Sequence, residues 1–168
     1  MPSAEFDNLM PLEKYGIQPY FSNSMQLADV IEWVLEQTGP AHLQISTFST
    51  GEEFLRRLFR LKRSGRILTC RMFCDLRAAR KTVSLYHFNK SVFDHVCLCE
   101  NHSKVLILFN DNHTVAVVTS QNQTRGNRFE AGIITSYALT VSKLRLGFDA
   151  LAANSISIDE LIVYSRNN

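Results

Sequence analysis

The chain has 168 residues, 45% of them hydrophobic and 20% charged, with 7 Gly and 4 Pro. This composition excludes a disordered tail, a collagen-like repeat and a disulfide-stapled miniprotein, and its apolar runs fall far short of the roughly 20 residues that span a bilayer. The net charge of +2 hides a segregation: residues 1–38 carry six acids against Lys14, whereas residues 56–81 carry ten of the 18 cations against Asp75 alone.

Residues 1–20 hold Pro2, Pro11, Gly16 and Pro19 without a period, so they read as an N-terminal arm ahead of a domain over 21–168. Leu27, Val30, Ile31, Val34 and Leu35 follow helical spacing, with Asn23 or Ser24 as the cap and Gly39-Pro40 as the stop. Leu43, Ile45 and Thr47 alternate with polar residues as in a half-buried strand. Thr50 and Glu53 form a capping-box pattern opening a second helix, whose apolar stripe is Phe54, Leu55, Leu58, Phe59 and Leu61 and whose stop is Gly65. Residues 67–74 predict a central strand, and residues 77–81 a basic loop. Three apolar runs follow at 92–99, 104–109 and 114–119, the last two joined by the turn-rich residues 110–113. A short strand is expected at 132–135, a helix broken or bent near Gly147 over 137–153, and a final strand at 161–164. Strand and helix alternate and then strands cluster, which predicts an α/β fold with a mixed β-sheet sandwiched between helices.

The chemistry concentrates in residues 101–136. His102 and Lys104 share a face of an extended chain, as do Ser120 and Asn122, and the intervening hairpin returns the second pair to the first. Glu130 lies just downstream. An imidazole nitrogen can form a transient covalent bond to phosphorus. Lys104 and the Asn122 amide can stabilise the nonbridging oxygens, and a carboxylate such as Glu130 can fix the imidazole tautomer. No metal or cofactor is required by that set. Cys70, Cys74, Cys97 and Cys99 fall inside predicted strands, where same-face spacing buries small side chains, so they read as core and not as a zinc site.

His102-x-Lys104, an apolar strand, Thr119-Ser120-x-Asn122 and then Glu130 before Ala131-Gly132 resemble the phospholipase D superfamily motif. The resemblance is closest over about 35 residues and implies a phospholipase D-like sheet. Two positions depart from the family pattern: Phe109 stands where the family has Asp, and Thr119 where it has Gly. The resemblance implies a metal-independent phosphodiesterase with His102, Lys104, Ser120, Asn122 and Glu130 as catalytic residues. A family site takes two histidines and this chain holds one motif copy, so the resemblance further implies a homodimer of the kind built by the short nucleases of the superfamily.

The basic block supplies Arg56, Arg57, Arg60, Arg63, Arg77, Arg80 and Lys81, joined by Arg125, as residues to track a nucleic acid backbone. DNA or RNA is therefore the expected substrate, through a phosphohistidine intermediate. Two other readings are a catalytically weak or inactive nucleic-acid-binding or regulatory module, and a phospholipid hydrolase or phosphatidyltransferase. The chain lacks a basic-then-apolar leader and an exposed apolar loop is not evident in the sequence, so a cytoplasmic protein without stable membrane association is expected.

Overall fold

A computed structural model describes residues 9–123 and 128–166. Its elements run β1 (Ile17–Ser22), α1 (Leu27–Thr38), β2 (Ala41–Thr47), α2 (Glu52–Arg63), β3 (Ile67–Asp75), a 3-10 turn (Leu76–Ala78), α3 (Ala79–Ser84), α4 (Tyr86–Val92), β4 (His95–Cys99), β5 (Val105–Phe109), β6 (Thr114–Thr119), β7 (Glu130–Thr135), α5 (Ala138–Ala153), β8 (Ile156–Ser157) and α6 (Ile158–Arg166). The eight strands form one mixed sheet in the order β1-β7-β6-β5-β2-β3-β4-β8. β2, β3 and β4 are parallel neighbours, and β5, β6, β7 and β1 follow antiparallel. This is the predicted α/β class.

Alternation along the strands divides the core between two faces. Leu43, Ile45, Met72, Leu98, Leu106, Leu108, Val115, Val117 and Ile134 pack with Val30, Ile31 and Val34 of α1 and Leu55 and Leu58 of α2. Phe73, Cys97, Ile107 and Ala116 point the other way, against Val141 and Phe148 of α5. The Phe73 and Phe148 rings meet edge to face, with centroids 5.8 Å apart. All four cysteines are buried in β3 and β4.

Several local expectations change. The arm over 1–20 is not a single unit, because Ile17–Ser22 pair with β7 as an edge strand. Its alternation was masked by Pro19 and by the preceding proline-rich stretch, although Tyr20 and Ser22 are buried while Ile17 and Phe21 are exposed. Gln26, not Asn23 or Ser24, caps α1, with Asp29 accepting the Gln26 N–H at 2.8 Å. Helix α2 starts from Gly51 without a side-chain cap, and Thr50 is buried instead. Residues 77–81 are a 3-10 turn running into α3. Helix α5 is continuous through Gly147, where a Cβ would meet nothing. The predicted final strand at 161–164 lies within α6, because Ile158 and Leu161 reach the core at helical spacing. Among the described residues, no helix is long and apolar enough to cross a membrane.

Candidate active site

The topology gathers five strand ends on one edge of the sheet. Ser46 at the end of β2 pairs with Val105 at the start of β5, and Val105 with Val118 near the end of β6. Thr119 pairs with Gly132 of β7, and Glu130 at the start of β7 with Ser22 of β1. The segment carrying His102 and Lys104 enters β5 at this edge, and the Thr119-Ser120-Gln121-Asn122 segment leaves β6 beside it. The Thr119 N–H donates to the Lys104 carbonyl at 3.0 Å, which holds the two segments in register.

His102 is exposed, but its neighbours are not free. Asn101 is buried, and its amide donates to Ser46 Oγ at 2.9 Å and to the carbonyls of Thr47 and Phe73 at 3.3 Å. Its backbone N–H donates to Asp75 Oδ2 at 2.9 Å. On the other side, Ser103 N–H donates to Asn101 Oδ1 at 2.9 Å, and the Ser103 hydroxyl also bonds Ser46. The loop is thus tied to the ends of β2 and β3 on both sides of the imidazole. The ring lies on Phe48, centroids 5.4 Å apart. Lys104 Nζ donates to the His102 carbonyl at 3.2 Å, so the ammonium sits at the same point of the edge.

The other predicted residues divide. Ser120 Oγ bonds the Glu130 carboxylate and accepts the Ala131 N–H at 3.0 Å, joining the end of β6 to the start of β7. Glu130 therefore has Ser120 as its partner, while the His102 ring rests on Phe48. Asn122 turns into a cleft between the N-terminal ends of α1 and α2, lined also by Gln26, Leu27, Phe54 and Arg57. Its Oδ1 is buried there without a hydrogen-bond partner, as befits a group held for a ligand or water.

The two departures from the family pattern acquire physical roles. Thr119 Oγ1 accepts the Tyr20 hydroxyl at 2.7 Å and the Gln121 N–H at 3.1 Å, so it braces β1 against the turn out of β6. Burial pushes the Tyr20 phenol up to about 12, opposed by the Thr119 bond and aided by the charge of Glu130. Phe109 ends β5 five residues beyond Lys104, about 17 Å away at strand rise. There it stacks on His42 at 5.2 Å, with Arg145 over its ring at 5.1 Å. It braces the opposite edge of the sheet.

The basic residues also separate. Helix α2 connects the end of β2 to the start of β3, so it runs away from the site at about 1.5 Å per residue. Arg56 is in its second turn, paired with Glu52, while exposed Arg60 and Arg63 lie towards the far edge. Arg57 is engaged by Asp29 at 2.6 Å and Glu32 at 2.8 Å, tying α2 to α1. Arg77 follows the end of β3 beside Phe48 at the site edge, Arg80 and Lys81 come after it in α3, and all three are exposed. Arg125 lies outside the described residues. Among the described residues, no group of three or more His, Cys, Asp or Glu is placed to hold a metal ion.

Sequence reasoning missed Phe48, Asn101 and Asp75. Only the Asp75-Leu76-Arg77 turn left a signal, since aspartate after a strand commonly accepts the N–H two residues on. Asp75 is 1% exposed and receives the Arg77 N–H at 2.8 Å, Arg77 Nε at 3.0 Å and the Asn101 N–H. Burial raises its carboxyl, but the hydrogen bonds from Arg77 and Asn101 outweigh that effect and hold it below its ordinary 3.8. A carboxyl depressed on folding contributes stability above its unfolded value and loses it as pH falls through the folded one. Asp75→Asn is expected to cost about 2 kcal/mol at pH 7. In urea melts, the gap between the variant and the wild type should close as pH falls below 3.8. A gap independent of pH would show that the charge of Asp75 is not what stabilises the turn.

No protein-family model matches the sequence. No curated protein matches it either. Solved structures do. Nuc from Salmonella typhimurium, a phospholipase D family member, superposes with a TM-score of 0.64 at 16% identity, covering 84% of this chain and 96% of that one. NucT from Helicobacter pylori gives 0.62 at 15% identity, covering 84% and 99%. Phosphatidylserine synthase from Haemophilus influenzae gives 0.55 at 13% identity over 84% of this chain and 39% of that one. A sheet edge that presents His102 and Lys104 beside Ser120 and Glu130 thus sits on a shared architecture: the chain has the phospholipase D fold.

Proposed function

We propose that the protein is a metal-independent phosphodiesterase that cleaves DNA or RNA through a phosphohistidine on His102, in a site completed by a second copy of the chain. The observation that carries this reading is the mounting of His102: an exposed imidazole between two pinned neighbours, with Lys104 beside it on the edge where β5, β6 and β7 meet.

One imidazole nitrogen of His102 attacks phosphorus, forming a P–N bond as the bond to the leaving oxygen breaks. The partner's His102 gives its proton to that oxygen. The partner's His102 then takes a proton from water, whose oxygen attacks phosphorus and releases His102. Lys104 stabilises the charge on the nonbridging oxygens, where preorganised donors act most strongly, and Asn122 joins it only by turning its amide out of the cleft between α1 and α2. Glu130, bonded to Ser120, holds the adjoining turn. Phe109 lies at the opposite edge of the sheet, so its replacement of the family's Asp leaves the reacting groups in place.

Arg77 at the site edge, with Arg80 and Lys81 after it in α3, favours a polyanionic substrate. One observation favours a phospholipid instead. Phe21 and Phe129 stack with centroids 5.5 Å apart and are 74% and 66% exposed beside Glu130, an apolar surface suited to a bilayer.

Denaturation in SDS at alkaline pH during turnover of an oligonucleotide, with EDTA present, should leave a nucleotidyl adduct whose mass maps to His102, because a P–N bond survives base and is hydrolysed by acid. The same treatment after cardiolipin vesicles tests the lipid reading. No adduct with either substrate, alongside measurable turnover, would refute the covalent mechanism. No turnover of either would refute the enzyme reading and leave a binding module.

A further inference from the structure

We propose that Arg77 binds a phosphate flanking the one cleaved at His102, and so selects a polynucleotide over an isolated phosphodiester. This rests on the nucleic-acid reading above and adds to it a second anion subsite.

Three observations support the subsite. First, Arg77 and His102 are mounted on the same group. The buried carboxylate of Asp75 accepts the Arg77 N–H at 2.8 Å and Nε at 3.0 Å, and through its other oxygen the N–H of Asn101, the residue before His102. Second, both side chains rest on one aromatic ring. The Arg77 guanidinium carbon lies 5.8 Å from the Phe48 centroid, and the His102 ring centroid 5.4 Å from it. Guanidinium and imidazole are therefore at most about 11 Å apart. Successive phosphates of a strand are separated by a whole sugar-phosphate unit, so this span reaches a phosphate flanking the scissile one. Third, the guanidinium is anchored without being consumed. Its side chain is 74% exposed, Nε faces Asp75, and Nη2 reaches the carboxylate only at 3.5 Å. The outer N–H groups of the fork remain for an anion, in a planar geometry suited to phosphate oxygens.

The surrounding charge is mixed. Glu100 lies close enough to act on Arg77, while exposed Arg80 and Lys81 continue the basic surface along α3. An isolated diester has no second phosphate, and gains nothing from this arginine.

The test compares a dinucleoside monophosphate, which has only the scissile phosphate, with a single-stranded pentanucleotide. Arg77→Ala should lower kcat/KM for the pentanucleotide about tenfold more than for the dinucleotide. Its pentanucleotide affinity, read by fluorescence anisotropy, should lose about 0.7 of the slope of log K against log salt, as expected for one phosphate contact on a single strand. Arg77→Lys, keeping the charge without the fork, should restore part of the preference. Equal losses on both substrates, with an unchanged salt slope, would mean that Arg77 only secures Asp75. If the wild type cleaves neither substrate, the reading of the protein as a nuclease fails, and the anisotropy slopes still decide the role of Arg77.

Discussion

Alanine at position 102 is expected to lower hydrolysis of bis(p-nitrophenyl) phosphate by about 10⁴-fold or more with EDTA present, because removal of a covalent nucleophile leaves only the binding and charge-stabilising groups. The fold should survive. The His102 ring is exposed and lies tilted against the Phe48 ring, while Asn101 and Ser103 hold the loop through bonds that do not involve the imidazole. A surface substitution of this kind changes stability by about 0.5 kcal/mol or less. Melting temperature and secondary-structure signal should therefore match the wild type while turnover vanishes. Activity that persists at wild-type level would exclude His102 as nucleophile.

The same variant also tests the shared site. If each centre needs two copies of His102, excess H102A subunits should quench wild-type activity by exchange into mixed dimers. A site contained in one chain would leave activity proportional to the wild-type subunits added. Lys104→Ala should have a smaller effect, about 10² to 10³-fold, as for one donor lost from a charge-stabilising set.

The sheet, its two-sided core and the hairpin between β5 and β6 were legible because they rest on local patterns. Alternation fixes β2, apolar runs joined by a turn-rich stretch fix β5 and β6, and helical spacing fixes α1 and α2. The His102-x-Lys104 and Ser120-x-Asn122 spacing identified the edge because a hairpin's register is a local matter. What supports that edge was not legible. Asn101 bonds to Ser46 and Asp75, which are 55 and 26 residues away in the chain, and no spacing rule couples such distant positions. Arg57 read as a free cation because its partners, Asp29 and Glu32, belong to a different helix. The extent of the basic block hid a similar division. Arg60 and Arg63 belong to a helix directed away from the site, whereas Arg77 belongs to the turn beside it. Sequence order placed these residues in one run, and the crossover from β2 to β3 separated them. Conversely, Phe109 looked like damage to a catalytic motif, and its stacking on His42 shows a bracing role remote from His102.

The largest loss of stability is expected from Gly132→Ala, about 3 kcal/mol or more, read as a fall in the urea midpoint or as failure to fold. Gly132 pairs with Tyr20 across β7 and β1, and the Tyr20 ring lies directly over it. An added Cβ would stand 2.5 Å from Tyr20 Cε1 and from its hydroxyl oxygen, well inside contact distance. The ring has little freedom to yield. It is 6% exposed, and its hydroxyl lies 2.7 Å from Thr119 Oγ1 and 2.9 Å from Gln121 Oε1. Gln121 in turn donates to the Met25 carbonyl at 2.6 Å, just before α1. Overpacking a constrained site typically costs about 1 to 3 kcal/mol, and here relief also requires breaking buried hydrogen bonds at about 1 kcal/mol each. Tyr20→Ala removes the obstructing ring, so the two substitutions should couple: Gly132→Ala should cost far less in the Tyr20→Ala background than in the wild type. Simple additivity would show that the glycine serves the backbone and not the ring. Because Thr119 leads into Ser120, and β7 begins at Glu130, the clash should also displace the Ser120–Glu130 pair. Gly132→Ala protein that does fold should therefore lose activity beyond its loss of folded fraction, which would link the β1 edge strand to the chemistry proposed at His102.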